Sequence, residues 1–278
     1  MIFTHKDNCK VVVGYSGGRD STTLLHLLSK KEENVFPIYC NHKWEKDIDP
    51  PLPCEIIHAD RPVVTESSAR EWRYKVLLEV CRKKGGNTVL AVGHTASDRV
   101  ETMLYNLARG SSLRGLCTPK EVSYREGVKI IRPLLKWSRE ETKQYCLDHS
   151  LPYIDDPYNA SIKSKRVFIR NKIIPHLKEL HKGAISRMAL TSEELEEDND
   201  FMETLAQKEF LSRLDLNRLD LSGLHIAIKR RIIRVFLKTI SNSNPTRKTI
   251  TKVLSNQKTQ VKGGFTIVWE GQTIIYYL

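Results

Sequence analysis

The feature that most constrains this chain is an apolar run that passes directly into a glycine turn. Lys10-Val11-Val12-Val13-Gly14-Tyr15 leads into Ser16-Gly17-Gly18-Arg19-Asp20-Ser21 and then Thr22-Thr23-Leu24-Leu25-His26-Leu27-Leu28. A short apolar run bounded by a turn reads as a buried strand, and the apolar residues beyond the turn read as a helix. The spacing predicts a strand over 10–15 and a helix over 21–31. Such a unit is a physical recipe for holding an anion. The glycines let the backbone curl with its N–H groups inward, because no Cβ blocks them. The first helical turn adds unpaired donors and the positive end of the dipole. Ser16 and Ser21 add hydroxyls. Asp20 sets a carboxylate beside the anion, where it suits Mg²⁺ or a water on it. A turn kept small for steric reasons alone is the plainer explanation. Against it stand six positions in register behind an apolar strand.

The pattern continues. Strands are expected at 35–40, 55–58, 89–92 and 128–134, and helices at 66–84, 97–109 and 138–149. Strands alternating with helices of this length argue for an α/β fold with a doubly wound, mostly parallel sheet. In such sheets ligands sit at the carboxyl ends of strands, which draws attention to His42 and His94. Ser138-Arg139-Glu140-Glu141 reads as a capping box. Character changes near residue 185. Beyond it come a long helix with an acidic face, a helix over 225–240, a short one from Pro245-Thr246, and a hairpin from Phe265. The expected organisation is therefore 1–184 as the α/β domain and 185–278 as a smaller helical region ending in a β-hairpin.

The net charge of +12 is more than an enzyme of small anions needs. Cations stand at 229, 230, 231, 234, 238, 247, 248, 252, 258 and 262, with no acid between. A solvated lysine-rich face is one explanation. A polyanion partner accounts better for so one-sided a run, and Lys229, Arg230 and Arg231 are the candidate RNA contacts. None of the six cysteines stands in a Cys-x-x-Cys pair, which argues against structural zinc or an iron–sulfur cluster. No long uncharged apolar run or signal-peptide h-region is present, so neither a membrane span nor secretion is expected.

The glycine turn lacks the Walker pattern. It resembles the Ser-Gly-Gly-x-Asp-Ser loop of the PP-loop ATP pyrophosphatase superfamily, which splits ATP between its α and β phosphates. Two further blocks narrow the resemblance. Gly93-His94-Thr95-Ala96-Ser97-Asp98-Arg99-Val100-Glu101-Thr102 follows a strand end and places Asp98, Glu101 and Thr102 on one helix face; capping by acids is the simpler reason for that spacing. Arg109-Gly110-Ser111-Ser112-Leu113-Arg114-Gly115-Leu116 follows it. With Ala69-Arg70-Glu71-Trp72-Arg73-Tyr74, Arg132-Pro133-Leu134-Leu135 and Asp155-Asp156-Pro157-Tyr158-Asn159, the set resembles the tRNA(Ile)-lysidine synthase family over about residues 9–180.

The resemblance implies a defined reaction. ATP activates C2 of the wobble cytidine of a tRNA(Ile) with anticodon CAU by adenylation, and free L-lysine attacks to give lysidine, AMP and pyrophosphate. It implies that Ser16, Gly17, Gly18, Arg19, Asp20, Ser21 and His94 contact ATP. Asp20 would hold Mg²⁺, and Asp98 and Glu101 would recognise lysine and move its proton. Arg70 and Arg109 would face phosphate or RNA, or else serve as surface ion-pair partners. The catalytic set is then Asp20, Asp98 and Glu101. The 1–184 region becomes the ATP-binding domain and 185–278 the tRNA-contacting one.

Two departures are plain. His42-Lys43-Trp44-Glu45 stands where relatives carry a His-Gly-Leu-Arg-like stretch, and Val167 replaces an Asn in Arg166-Val167-Phe168-Ile169-Arg170. The length suits the short forms, and the Thr95–Arg99 wording suits cyanobacterial and plastid members. The expected setting is a soluble protein of the plastid stroma or bacterial cytoplasm, with no membrane and with a homodimer left open. Two other readings remain: a PP-loop tRNA 2-thiolation enzyme, and a catalytically decayed tRNA-binding relative.

Overall fold

The computed structural model describes residues 9–31, 34–43, 49–63, 65–154 and 165–277. The Trp44-Glu45 departure, the Asp155–Asn159 block and the first eight residues lie outside the described residues. The chain divides into two compact units, Met1–Glu196 and Glu197–Leu278.

In the first unit, β1 (Lys10–Tyr15), β2 (Val35–Asn41), β3 (Glu55–His58), β4 (Thr88–Val92), β5 (Val122–Arg125) and β6 (Val128–Ile131) form one sheet. Their order is β3-β2-β1-β4-β6-β5. Each neighbouring pair is parallel except the edge pair β5–β6, which is antiparallel. Helices α1 (Arg19–Ser29), α2 (Glu66–Lys84), α3 (Ala96–Ala108), α4 (Leu113–Leu116), α5 (Arg139–Asp148), α6 (Lys165–Phe168) and α7 (Ile174–Leu180) follow or connect the strands. A wide turn of i→i+5 type at Ile169–Ile173 joins α6 to α7. The sequence did not mark β5, which lies in a polar stretch.

Both faces of the sheet are covered, which explains the unbroken valine run of β1. Val12 packs with Leu77, Leu78 and Cys81 of α2. Val11, Val13 and Tyr15 point the other way, onto Leu24, Leu25 and Leu28 of α1. The capping box at Ser138 is formed: its backbone N–H donates to Glu141 Oε2 at 2.6 Å, and Glu141 N–H returns to Ser138 Oγ at 3.1 Å.

Helix α8 (Ala184–Arg213) carries the boundary between the units within its length. The second unit adds β7 (Leu214–Asp215), β8 (Arg218–Asp220), α9 (Ile226–Ser241), α10 (Arg247–Leu254), β9 (Thr259–Gln260), β10 (Thr266–Glu270) and β11 (Thr273–Tyr277). The terminal hairpin β10–β11 is the middle of a five-stranded antiparallel sheet, ordered β7-β8-β11-β10-β9. Its extra strands are two or three residues long, too short for periodicity to register. The β7–β8 turn holds Leu216 at φ 46°, with no glycine to mark it. Ile232, Ile233, Phe236, Leu219, Ile267 and Ile274 form this unit's core.

Candidate functional site

The order of the sheet reverses between β1 and β4, and ligands collect at that point in open α/β sheets. The Ser16–Ser21 turn leaves β1 there. Gly17 sits at φ 75°, a conformation that side chains resist. Gly18 is the N-cap of α1 and carries no side-chain cap. The turn is tied from within. Ser21 Oγ accepts from Ser16 N–H at 3.1 Å and donates to the Gly18 carbonyl at 2.9 Å. The N-cap of α1 thus offers no side-chain partner to the first N–H groups of the helix.

Gly93 ends β4 against that same turn. A Cβ on it would lie 3.1 Å from the Asp20 carbonyl and the Ser21 nitrogen. His94 follows at once, so the second block is held beside the first by backbone packing.

Asp20, Asp98 and Glu101 do converge, around a residue that the sequence reading passed over. Arg139, the first residue of α5, donates to Asp98 Oδ1 and to Glu101 Oε1, both at 2.8 Å. Its Nε stands 3.8 Å from Asp20 Oδ2. Arg170, in the wide turn after α6, closes on Glu101 from the other side at 2.8 and 3.0 Å. Glu101 is 1% exposed, and a buried carboxylate needs such pairing. Both of its oxygens are taken by guanidiniums. Glu101, expected to contact lysine and move its proton, here has its oxygens engaged by Arg139 and Arg170.

Asp98 has two duties. Its Oδ2 caps α3, accepting from Thr95 N–H at 2.8 Å and Thr95 Oγ1 at 2.9 Å. Burial raises its pKa, but the Arg139 charge, His94 and the Thr95 donors outweigh this and hold it at about 2. So acidic a group binds cations well and takes protons poorly; its expected share in proton transfer is reduced accordingly. Asp20 is the most loosely paired of the three. Its guanidinium neighbours stand at 3.8 Å (Arg139) and 4.0 Å (Arg19). Thr142 Oγ1 donates to its Oδ1. Burial raises its pKa, the Thr142 hydrogen bond lowers it, and the Asp98 charge raises it further. A Mg²⁺ shared with phosphates needs only one or two carboxylates from the protein, and Asp20 has the free capacity.

His94 accepts from Arg132 Nε through Nδ1 at 3.1 Å. Desolvation, with Arg70, Arg132 and Arg166 nearby, drives its pKa down to about 3 against the pull of Asp98. The ring is neutral at physiological pH. Arg70 lies over the Tyr74 ring at 5.3 Å, and burial lowers its pKa. Arg109 ends α3 with its guanidinium over Tyr105 at 5.2 Å. Neither forms an ion pair among the described residues.

In the second unit, Arg230 is exposed and Lys229 half-buried. Arg231 is placed differently from its expected RNA-facing role. Its Nε faces Glu203 at 3.5 Å and its side chain is mostly buried. The helical turn between residues 227 and 231 rolls it toward α8. A shallow depression of about 560 Å³ on α10 is lined by Arg247, Lys248, Thr251, Lys252, Ser255 and Gln257.

All six cysteines are free thiols. Burial pushes Cys40 up to about 12 and Cys81 up to about 11. Among the described residues no group of His, Cys, Asp and Glu is arranged to hold a metal ion by itself, and no helix is long and apolar enough to cross a membrane.

The PP-loop domain family matches residues 36–177. A tRNA(Ile)-lysidine synthase of Nostoc is 31% identical over 88% of this chain and 82% of its own length. That of Synechocystis is 31% identical over 91% and 84%. That of Prochlorococcus marinus NATL1A is 32% identical over 96% and 93%. Among solved structures, the U34-tRNA thiolase NcsA of Methanococcus maripaludis, with its [4Fe-4S] cluster, superposes with a TM-score of 0.56. It covers 68% of this chain and 72% of its own at 24% identity, a likeness of fold.

Proposed function

The chain belongs to the tRNA(Ile)-lysidine synthase family of PP-loop proteins, and from that premise we infer how its residues form lysidine on tRNA(Ile). It is an ATP-dependent carbon–nitrogen ligase. The observation that carries the reading is the Ser16–Ser21 turn, open at the α1 N-terminus, with Asp20 and the Arg139-centred carboxylates beside it.

The chemistry runs in two stages. The backbone donors of the turn and the α1 N-terminus bind the ATP phosphates and stabilise the charge that develops when O2 of the wobble cytidine attacks the α-phosphorus. Pyrophosphate leaves. Asp20 would hold Mg²⁺, which neutralises phosphate charge when bound. The lysine ε-ammonium first gives a proton to water; the neutral amine then attacks C2, and AMP departs with the O2 oxygen, its phosphate taking the second amine proton. Asp98 attracts the incoming ammonium. Glu101 fixes Arg139 and Arg170, and so the place of Asp98. Neutral His94 presents a hydrogen-bonding edge to the nucleotide. Arg70, Arg109, Lys229 and Arg230 face the RNA.

The absence of a Cys-x-x-Cys pair speaks against thiolation, and burial holds Cys40 and Cys81 protonated, which makes these two poor nucleophiles. The intact Ser16–Ser21 turn speaks against a decayed relative.

The test is incubation with Mg-ATP, labelled lysine and a tRNA(Ile) transcript bearing CAU, with elongator tRNA(Met) as competitor. Label should enter the tRNA(Ile) alone and disappear when the wobble cytidine is replaced. AMP release that depends on a sulfur donor, with no label from lysine, would move the chain to the thiolation class.

A further inference from the structure

The arginines near the carboxyl edge of the first unit's sheet differ in their partners. Arg99, Arg139 and Arg170 each meet a carboxylate at 2.7 or 2.8 Å. Arg70, Arg73, Arg132 and Arg166 meet none among the described residues. They come from three elements. Arg70 and Arg73 lie in the first turns of α2, whose N-terminus stands at the carboxyl edge of the sheet because the helix runs antiparallel to the strands. Arg132 follows β6, and Arg166 lies in α6.

Arg132 is 6% exposed, and its partners are all neutral: His94 Nδ1 at 3.1 Å, the Lys120 carbonyl at 2.6 Å and Ser123 Oγ at 2.9 Å. The charges of Arg70, Arg132 and Arg166 act together on the His94 ring, and those of Arg73, Arg132 and Arg166 act on Arg70. Tyr74, beneath Arg70, is 7% exposed with no partner for its hydroxyl, and Arg73 Nε is buried without one. Asp98 faces His94 but is committed to Arg139 and Thr95. Among the described residues this half-buried group of like charges has no carboxylate partner, and such a group is completed by an anion.

We propose that Arg70, Arg132 and Arg166, grouped around His94 with Arg73 beside Arg70, form a second phosphate site, separate from the Ser16–Ser21 turn, for the phosphodiester flanking the cytidine to be modified. The nucleotide's own phosphates are served by the turn. The base must reach the α-phosphorus, so its phosphodiester arrives within about one nucleotide of Asp20. His94 adjoins Gly93, which packs on the Asp20 backbone. Arginine forks suit phosphate oxygens. The proposal rests on the lysidine reading and deepens it.

The test uses Arg70→Gln and Arg166→Gln, singly and together, in the full chain. The probe is a labelled anticodon stem-loop of tRNA(Ile), with ATP and lysine affinities measured beside it. Each substitution should weaken stem-loop binding about tenfold and reduce the slope of log K against log salt by about one. ATP and lysine affinity should stay within about twofold, and the melting temperature should hold or rise as like-charge repulsion is relieved. A second arm leaves the protein unchanged and puts a neutral methylphosphonate at either phosphate flanking the wobble cytidine. One of the two should cost about tenfold. Unchanged stem-loop affinity in both arms overturns the site. So does a loss that falls on ATP, pyrophosphate or lysine instead, or a drop of several degrees in melting temperature. Failure of the lysidine reading is distinct: the wild-type chain would then incorporate no lysine at all.

Discussion

Arg139 organises the carboxylates of the first unit, and it shows how chemistry and stability divide among single residues. Asp20→Asn should lower lysine incorporation by about a hundredfold or more. The same variant should melt at or above the wild-type temperature at neutral pH. Burial raises the Asp20 pKa above its unfolded value, so this group's favourable contribution exists at low pH and is lost as pH rises through the folded pKa. A neutral Asn keeps the acceptor for Thr142 without the buried charge. Thermal melts beside incorporation assays check both halves. Arg139→Gln should behave oppositely. It leaves Glu101 one guanidinium short in a buried position and should cost about 3 kcal/mol or more in a denaturant titration. The carboxylates were legible as residues because His-x-x-x-Asp-x-x-Glu is a local pattern. Arg139 was visible only as part of a capping box, since its partners Asp98 and Glu101 lie 41 and 38 residues away. Arg170 depends on the wide turn at Ile169–Ile173, which no periodicity announces.

At the scale of elements, the site exists because the end of β4 passes against the start of α1. Gly93→Ala should test that contact. Its Cβ would meet Asp20 and Ser21 backbone at 3.1 Å, and backbone gives way less readily than a side chain. The expected cost is about 1–3 kcal/mol in stability, with weaker ATP binding because the turn is displaced. Full stability and full ATP affinity together would mean that the contact is slack. The loop after β4 also carries a pH signature. His94 has a folded pKa of about 3, depressed chiefly by desolvation and by Arg70 and Arg132. The unfolded chain binds that proton more readily, so this contribution is complete above the ordinary histidine range and is lost as pH falls below it. Melting temperature should fall as pH drops from the ordinary histidine range toward about 3, and His94→Gln should flatten that part of the profile. An equal slope in the variant would place the titration elsewhere.

At the scale of the molecule, the net charge of +12 predicts salt-dependent tRNA binding. Replacing Lys229 and Arg230 with Ala should weaken binding and reduce its salt slope by about two, while Arg231→Ala should act mainly on stability through Glu203. Filter binding across a salt series separates them, and equal slopes for both variants would remove α9 from the interface. The sequence by itself determined the parallel sheet, the glycine turn, most helix limits and the family. Each of these is encoded within a few consecutive residues by apolar period, caps and glycine. Tertiary structure alone decided that Glu101 is paired with two guanidiniums, that Arg139 lies between Asp98 and Glu101, and that Arg231 meets Glu203. It also made the last hairpin the centre of a five-stranded sheet. Those outcomes depend on which distant charges and strand edges meet, and burial then sets what each charge must pair with.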